Sequence, residues 1–313
     1  MDKNILQQNL QLLIGQDRAK LLLTNQSIIG SHPVYLLVGP PQIGKGFLAR
    51  LMAASWHSTT YDESHHHPDT MIFDDILNKN SVTGEDHQWK KSTDDFIHFM
   101  NLSPARSNVK VGILEDIDRF SLSALNSLLK TIEEPPVHTV FILTAQEINN
   151  VLPTIISRAQ LIRLSYLSDE NITNYLQQIK SDHINEITVL ANGAIGLAKK
   201  LANNPDVFQS VLNHTTALQE ILQKNIITLT KSAQIKDRDE AIKVLRIWIN
   251  LVHRAMLCKM GQPVASLIND VVQEYSAETL MDLVSSLQDA CAGITDNANV
   301  RITFEAALLP MVS

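Results

Sequence analysis

The chain has 313 residues, 44% of them hydrophobic, and carries 26 basic against 33 acidic side chains, a net charge of −7. That length and apolar content can bury a substantial core shared between two or three domains, while the negative balance argues against a protein that coats nucleic acid by bulk electrostatics and confines any DNA contact to a local or shared surface. Only two cysteines occur, Cys258 and Cys291, both in helix-like apolar stretches; they argue against a disulfide framework or a cysteine-based zinc site and read as small core residues.

Met1 to Leu13 mixes Asp2, Lys3 and several Gln into its apolar residues, so it lacks the unbroken apolar core of a secretory signal. No later segment reads as a membrane span, and a cytoplasmic location is expected. From residue 34 to about 164, short apolar runs alternate with amphipathic segments: Val34–Val38, Val111–Leu114, Val140–Leu143 and Leu161–Leu164. Near-continuous apolar strands separated by helices predict an α/β domain with a parallel sheet covered on both faces. Beyond Leu164 the chain reads as helices, at Asp169–Ile179, Ile184–Ala191, Leu197–Ala202 and in a longer set from about residue 207. One of these begins at Asp237, with Glu240 three positions on in a capping-box-like pair, and continues with Ala241, Val244, Leu245, Trp248, Val252 and Met256 at helical spacing.

The first strand runs into Gly39-Pro40-Pro41-Gln42-Ile43-Gly44-Lys45-Gly46 and then a helix-like Phe47–Met52. Strand, glycine loop and helix in this order let backbone N–H groups and a helix N-terminus surround phosphates, with Lys45 adding a point charge; the spacing is specific when so flanked, and a bare strand-to-helix turn is the lesser alternative. The usual pattern places Ser or Thr after the lysine, because that hydroxyl ligates magnesium. Here the residue is Gly46, which leaves a degenerate loop able to keep phosphate affinity while losing the ion. The second acidic strand ends in Glu115-Asp116, two carboxylates in the reverse of the usual Asp-Glu order, so that both side-chain lengths are exchanged around the metal and the attacking water.

From these residues the chain is seen to resemble the bacterial clamp-loader AAA+ ATPase family, and within it the delta-prime type. The resemblance starts at Ile14-Gly15-Gln16-Asp17, runs through His32–Pro41, and is strongest at Ala124-Leu125-Asn126-Ser127-Leu128-Leu129-Lys130-Thr131-Ile132-Glu133-Glu134-Pro135-Pro136. In that last segment Ser121 caps a helix whose Leu122, Leu125, Leu129 and Ile132 share a face, and Pro135 stops it. Thr144, in Leu143-Thr144-Ala145, resembles the family's sensor strand. In Ser157-Arg158-Ala159 the family's Ser-Arg-Cys has lost only its cysteine, so the resemblance makes Arg158 a finger that acts in trans on a neighbour's ATP; taken alone, Arg158 reads as a surface arginine near a helix C-terminus.

The family also implies an AAA+ phosphate-loop domain over residues 1–165, a helical lid over 166–207 and an all-α collar for oligomerisation over 208–313. Leu197 takes the place of the lid arginine of active members, and Asn297–Leu309 resembles the closing collar helix. The four-cysteine zinc module that many relatives insert is missing. In its region stand His57 and His65-His66-His67-Pro68-Asp69, read as a shortened metal-free loop, with adventitious metal binding as the minor option because consecutive side chains do not converge on one ion.

The expectation is a DNA polymerase III clamp-loader subunit that completes a neighbour's ATP site through Arg158 and hydrolyses no ATP itself. ATP or ADP held at Gly39, Gly44, Lys45, Gly46, Glu115, Asp116 and Thr144 would be bound statically, with no cofactor required and no metal or zinc site. Implied partners are the gamma/tau motor and delta subunits in a hetero-oligomeric ring, and the sliding clamp and primer-template DNA through that complex, with no membrane partner. The alternative from the same family is an active ATPase motor subunit. A small-molecule kinase is disfavoured by the helical C-terminal third and Glu133-Glu134-Pro135-Pro136.

Overall fold

Four of the apolar runs form strands in the computed structural model, which describes residues 2–25, 32–62, 67–73, 86–223, 226–232, 235, 237–261 and 266–312. They are β1 (Val34–Val38), β3 (Lys110–Leu114), β4 (Thr139–Ala145) and β5 (Gln160–Arg163), joined by a strand that the apolar pattern does not announce, β2 (Thr70–Phe73). All pairings are parallel, in the order β2-β3-β4-β1-β5. β2 escapes the pattern because it is an edge strand: of its four residues only Phe73 is fully buried. The chain forms two units, residues 1–167 and 168–313.

Every residue of β1, β3 and β4 is buried, as expected for a parallel sheet covered on both faces. Alternation along β1 sends Tyr35 and Leu37 to one core and Val34, Leu36 and Val38 to the other. The first core is closed by α1 (Lys3–Gln11), α2 (Asp17–Thr24) and α3 (Lys45–Trp56), through Leu6, Leu10, Leu23, Leu48 and Leu51. The second is closed by α4 (Asp86–Asn101) and α5 (Leu122–Glu133), through Phe96, Met100, Leu125, Leu128 and Ile132. Ser121 caps α5 by accepting the Ala124 N–H at 3.2 Å. The buried stripe of α5 differs by one position from the expected one: Leu128 is fully buried and Leu129 only partly, while the Leu122 side chain lies outside the described residues.

An acidic residue ties the sheet edge to the loop before β3. Asp69 has 0% exposure. Its carboxylate accepts N–H groups from Ala105, Arg106 and Ser107 at 2.6, 2.8 and 2.8 Å, and buried Lys110 lies 3.8 Å away. Burial alone would raise the Asp69 pKa, but the three N–H donors and Lys110 hold it well below the usual carboxylate range.

The second unit is helical throughout its described residues. Its helices include Asp169–Gln178, Ile184–Ala191 and Ile195–Asn203, close to the expected spans, then Pro205–Leu222, Arg238–Lys259, Ala277–Thr295 and Val300–Val312. A lid-to-collar boundary at 207/208 would fall inside Pro205–Leu222. Asp237 does cap Arg238–Lys259, but through the Asp239 N–H, while Glu240 approaches His214 at 3.7 Å instead of closing a box. Ala241, Val244, Leu245, Trp248 and Val252 are buried; Met256 is only half-buried. The Trp248 ring donates its N–H to the His214 carbonyl at 2.8 Å and meets Phe304 edge-on. Cys258 is buried, whereas Cys291 is half-exposed and not the core residue expected of it. No helix of the described residues is long and apolar enough to cross a membrane.

Candidate phosphate-binding site

β1 lies between β4 and β5, and the chain leaves it for the far edge of the sheet before returning, so the crevice at its C-terminal end is the topological switch point where open α/β sheets bind ligands. The loop Gly39–Gly44 starts there. The Gly39 N–H donates to the Ala145 carbonyl at the end of β4, which anchors the loop to the sheet. Gly44, at φ 98°, is the N-cap of α3; the left-handed backbone it adopts is one that a side chain would strain. No side-chain hydrogen bond caps this helix among the described residues, which leaves the N-terminus of α3 directed by its own N–H groups.

Lys45 opens α3 and is buried, at 6% exposure. Its Nζ donates to the Gly39 and Pro40 carbonyls at 2.7 and 2.8 Å, so the ammonium is folded into the loop it belongs to. Burial lowers its pKa, opposed by the charges of Asp116, Asp118 and Glu115.

The two expected carboxylates both act on Lys45 but pair with different arginines. Glu115 turns toward α3, where its Oε1 accepts from Arg50 Nη1 at 2.6 Å in a partly buried ion pair. Asp116, in the left-handed region at φ 52°, instead lies 3.8 Å from Arg119. The Asp116 N–H donates to the Thr144 hydroxyl at 2.8 Å, so Thr144 braces the turn after β3 against β4. Asp118 supports the next turn by accepting the Gln146 N–H at 2.8 Å.

Gly46 has no room for a side chain as the site stands. A Cβ there would lie 2.5 Å from Glu115 Oε1 and 2.8 Å from Arg50 Nη1. The Arg50–Glu115 pair therefore covers the position from which a Ser or Thr hydroxyl would reach a metal. Magnesium, which an active loop of this kind holds through that hydroxyl, does not fit these residues: the hydroxyl is missing and a guanidinium faces its position. Arg50 was not among the residues singled out from the sequence. The signal was present, because a residue four positions after Gly46 on a helix points back over it.

Arg158 follows the short helix α6 (Pro153–Ile156) and is about half-exposed. Its Nη1 donates to the Thr154 carbonyl at 3.3 Å and lies 3.9 Å from Glu133 at the end of α5. None of these partners is in the phosphate loop. Leu197 lies half-buried on Ile195–Asn203 in the second unit.

His57 caps the C-terminus of α3, buried, with Nδ1 3.0 Å from the Ser107 hydroxyl and Nε2 2.7 Å from that of Thr70. His67 stacks on it with ring centroids 3.7 Å apart. Burial, with a smaller effect of His67, lowers the His57 pKa to about 4, against the pull of Asp69. His65 and His66 lie outside the described residues, and among those described no group of His, Cys, Asp or Glu is arranged to hold a metal.

Residues 15–168 match the family model described as DNA polymerase III, delta subunit. DNA polymerase III subunit gamma of Buchnera aphidicola subsp. Acyrthosiphon pisum is 27% identical over 251 residues, 74% of this chain and 70% of that protein. Subunit tau of Escherichia coli is 28% identical over 182 residues, 55% of this chain but only 28% of the longer tau. Among solved structures, a DNA polymerase III gamma subunit-related protein from Thermotoga maritima superposes with a TM-score of 0.50 at 16% identity, covering 93% of this chain and 98% of that one, a likeness of fold. The five-stranded parallel sheet followed by helices is the α/β architecture expected from the sequence.

Proposed function

We infer that this chain, a relative of the gamma, tau and delta subunits of DNA polymerase III, works in DNA replication as a clamp-loader-family protein, and within that family as a non-hydrolysing subunit of the delta-prime type. The observation that carries the finer reading is the state of the loop. Position 46 is glycine, and the Arg50–Glu115 ion pair covers the space of the missing hydroxyl. Without that ligand the charge that builds on transferring phosphoryl oxygens loses the ion that normally offsets it.

Arg158 supplies the complementary half of the reading. It stands at the surface just after a short helix, held only by long contacts, so it can leave Glu133 for a stronger anion. A guanidinium forks onto phosphate oxygens in a way that a lysine does not reproduce. In a ring, this arginine would complete the ATP site of the adjacent gamma/tau motor subunit while the chain's own loop stays silent. Delta subunit, sliding clamp and primer-template DNA would be met through the same assembly, with residues from about 205 onward forming the collar that holds the ring.

A second reading, an ATPase motor subunit, is favoured by the identity to gamma and tau and by the retention of Lys45. Turnover separates the two. The purified chain should hydrolyse no ATP with magnesium present, and Arg158→Ala in a reconstituted loader should reduce DNA-stimulated turnover and clamp loading while assembly is kept. Magnesium-dependent turnover by the chain alone, lost on Lys45→Ala, would establish the motor reading instead.

A further inference from the structure

We propose that the Arg50–Glu115 ion pair replaces the divalent cation of this phosphate loop, so that the loop takes a nucleotide di- or triphosphate as the metal-free anion. The inference rests on reading Gly39–Gly46 as a phosphate loop, and adds to it what offsets the phosphate charge. Magnesium in such loops is placed between a hydroxyl after the lysine and a carboxylate at the end of the acidic strand. Both ends of that arrangement are altered together here. The hydroxyl is deleted at Gly46, and the strand-end carboxylate, Glu115, bonds Arg50 Nη1 at 2.6 Å. The same Nη1 stands 2.8 Å from where a Cβ of residue 46 would be.

Arg50 is suited to the exchange. It comes from the helix whose N-terminus faces the phosphates, and helical side chains slant toward that end. Its guanidinium carries five donors, of which one serves Glu115; a third of the side chain remains exposed. A magnesium ion brought to the same place would meet a fixed positive charge at contact distance and no hydroxyl ligand. Phosphate oxygens would meet Arg50 and the N–H groups of α3, and Lys45 once its ammonium leaves the Gly39 and Pro40 carbonyls that it bonds at 2.7 and 2.8 Å.

The test is affinity. Fluorescent ADP and ATP are titrated onto the full chain in excess magnesium and, separately, in excess EDTA. Equal affinity in both, or tighter binding in EDTA, is expected; Arg50→Ala should weaken binding in EDTA by about tenfold or more, the worth of a charge-assisted hydrogen bond. The double variant Gly46→Ser with Arg50→Ala should make binding respond to magnesium again, since it returns the hydroxyl, removes the guanidinium 2.8 Å from the Cβ position and releases Glu115 from its ion pair so that it can turn away. Binding that requires magnesium in the parent chain would overturn the substitution by Arg50 and leave the phosphate loop standing. No binding of either nucleotide in either buffer would overturn the proposal together with the phosphate-loop reading. Both outcomes are distinct from failure of the trans role of Arg158, which is read in the assembled loader.

Discussion

Asp69→Ala removes the acceptor that holds the loop before β3 to the sheet edge. In the parent chain one fully buried carboxylate takes three N–H donors at 2.6 to 2.8 Å, with buried Lys110 3.8 Å away. Hydrogen bonds to a charged group contribute roughly 1.5–3 kcal/mol each, and they do not add. The larger effect is what remains: three N–H groups and an ammonium at 3% exposure without their counterpart. Removing one member of a buried pair costs about 3–5 kcal/mol. For a unit of this size each kcal/mol moves the melting temperature by about 2–4 °C, so the expected fall is on the order of 10 °C, with a matching drop in the urea midpoint. Lys110→Met placed on Asp69→Ala should recover part of the loss, because the stranded charge is then gone. The folded pKa of Asp69 is depressed below its ordinary 3.8, so its contribution is full above that pH and disappears only in strong acid, as the pH falls through the folded value. An Asp69→Ala chain that melts within about 2 °C of the parent would refute the assignment of Asp69 as the tie between loop and sheet.

His57 loses stability in the same direction as Asp69, as the pH falls, but in a milder range. Its folded pKa, about 4, lies below the ordinary 6.5, so the unfolded chain binds the extra proton and stability falls as the pH drops from 6.5 toward 4. The fall should be on the order of 3 kcal/mol and be absent in His57→Gln, as measured by urea unfolding across that range. Trp248→Ala should cost about 3–5 kcal/mol through the cavity beside Phe304 and the lost hydrogen bond to the His214 carbonyl, read in calorimetry of the full chain. Ser121→Ala should remove the α5 cap at a cost of about 1 kcal/mol, and Ser121→Asp should keep it.

Much of the fold was legible locally. Val34–Val38 and Lys110–Leu114 are continuous apolar runs because both sheet faces are covered, and each is buried throughout. The strand, glycine loop and helix around Gly39–Gly46 follow in the order read from the sequence, and Ser121 and Pro135 mark the helix they bound with short-range chemistry. These signals are all contained within a turn or two of chain, where backbone geometry and solvation determine the outcome.

What only the tertiary structure decided involves partners distant in sequence. β2 joins the sheet on edge pairing with β3 and not on an apolar pattern of its own. Asp69 finds the backbone of residues 105–107 across a gap of 36 to 38 positions. Glu115 and Arg50 are 65 residues apart, and nothing local says that the strand-end carboxylate will pair with a guanidinium from α3. Asp116 and Thr144 were both read as site residues, yet the fold joins them by a backbone N–H, to brace two turns. The physical reason is that charge pairing and buried hydrogen bonding depend on distance and solvent exclusion, and both are fixed only when separate segments pack into one core.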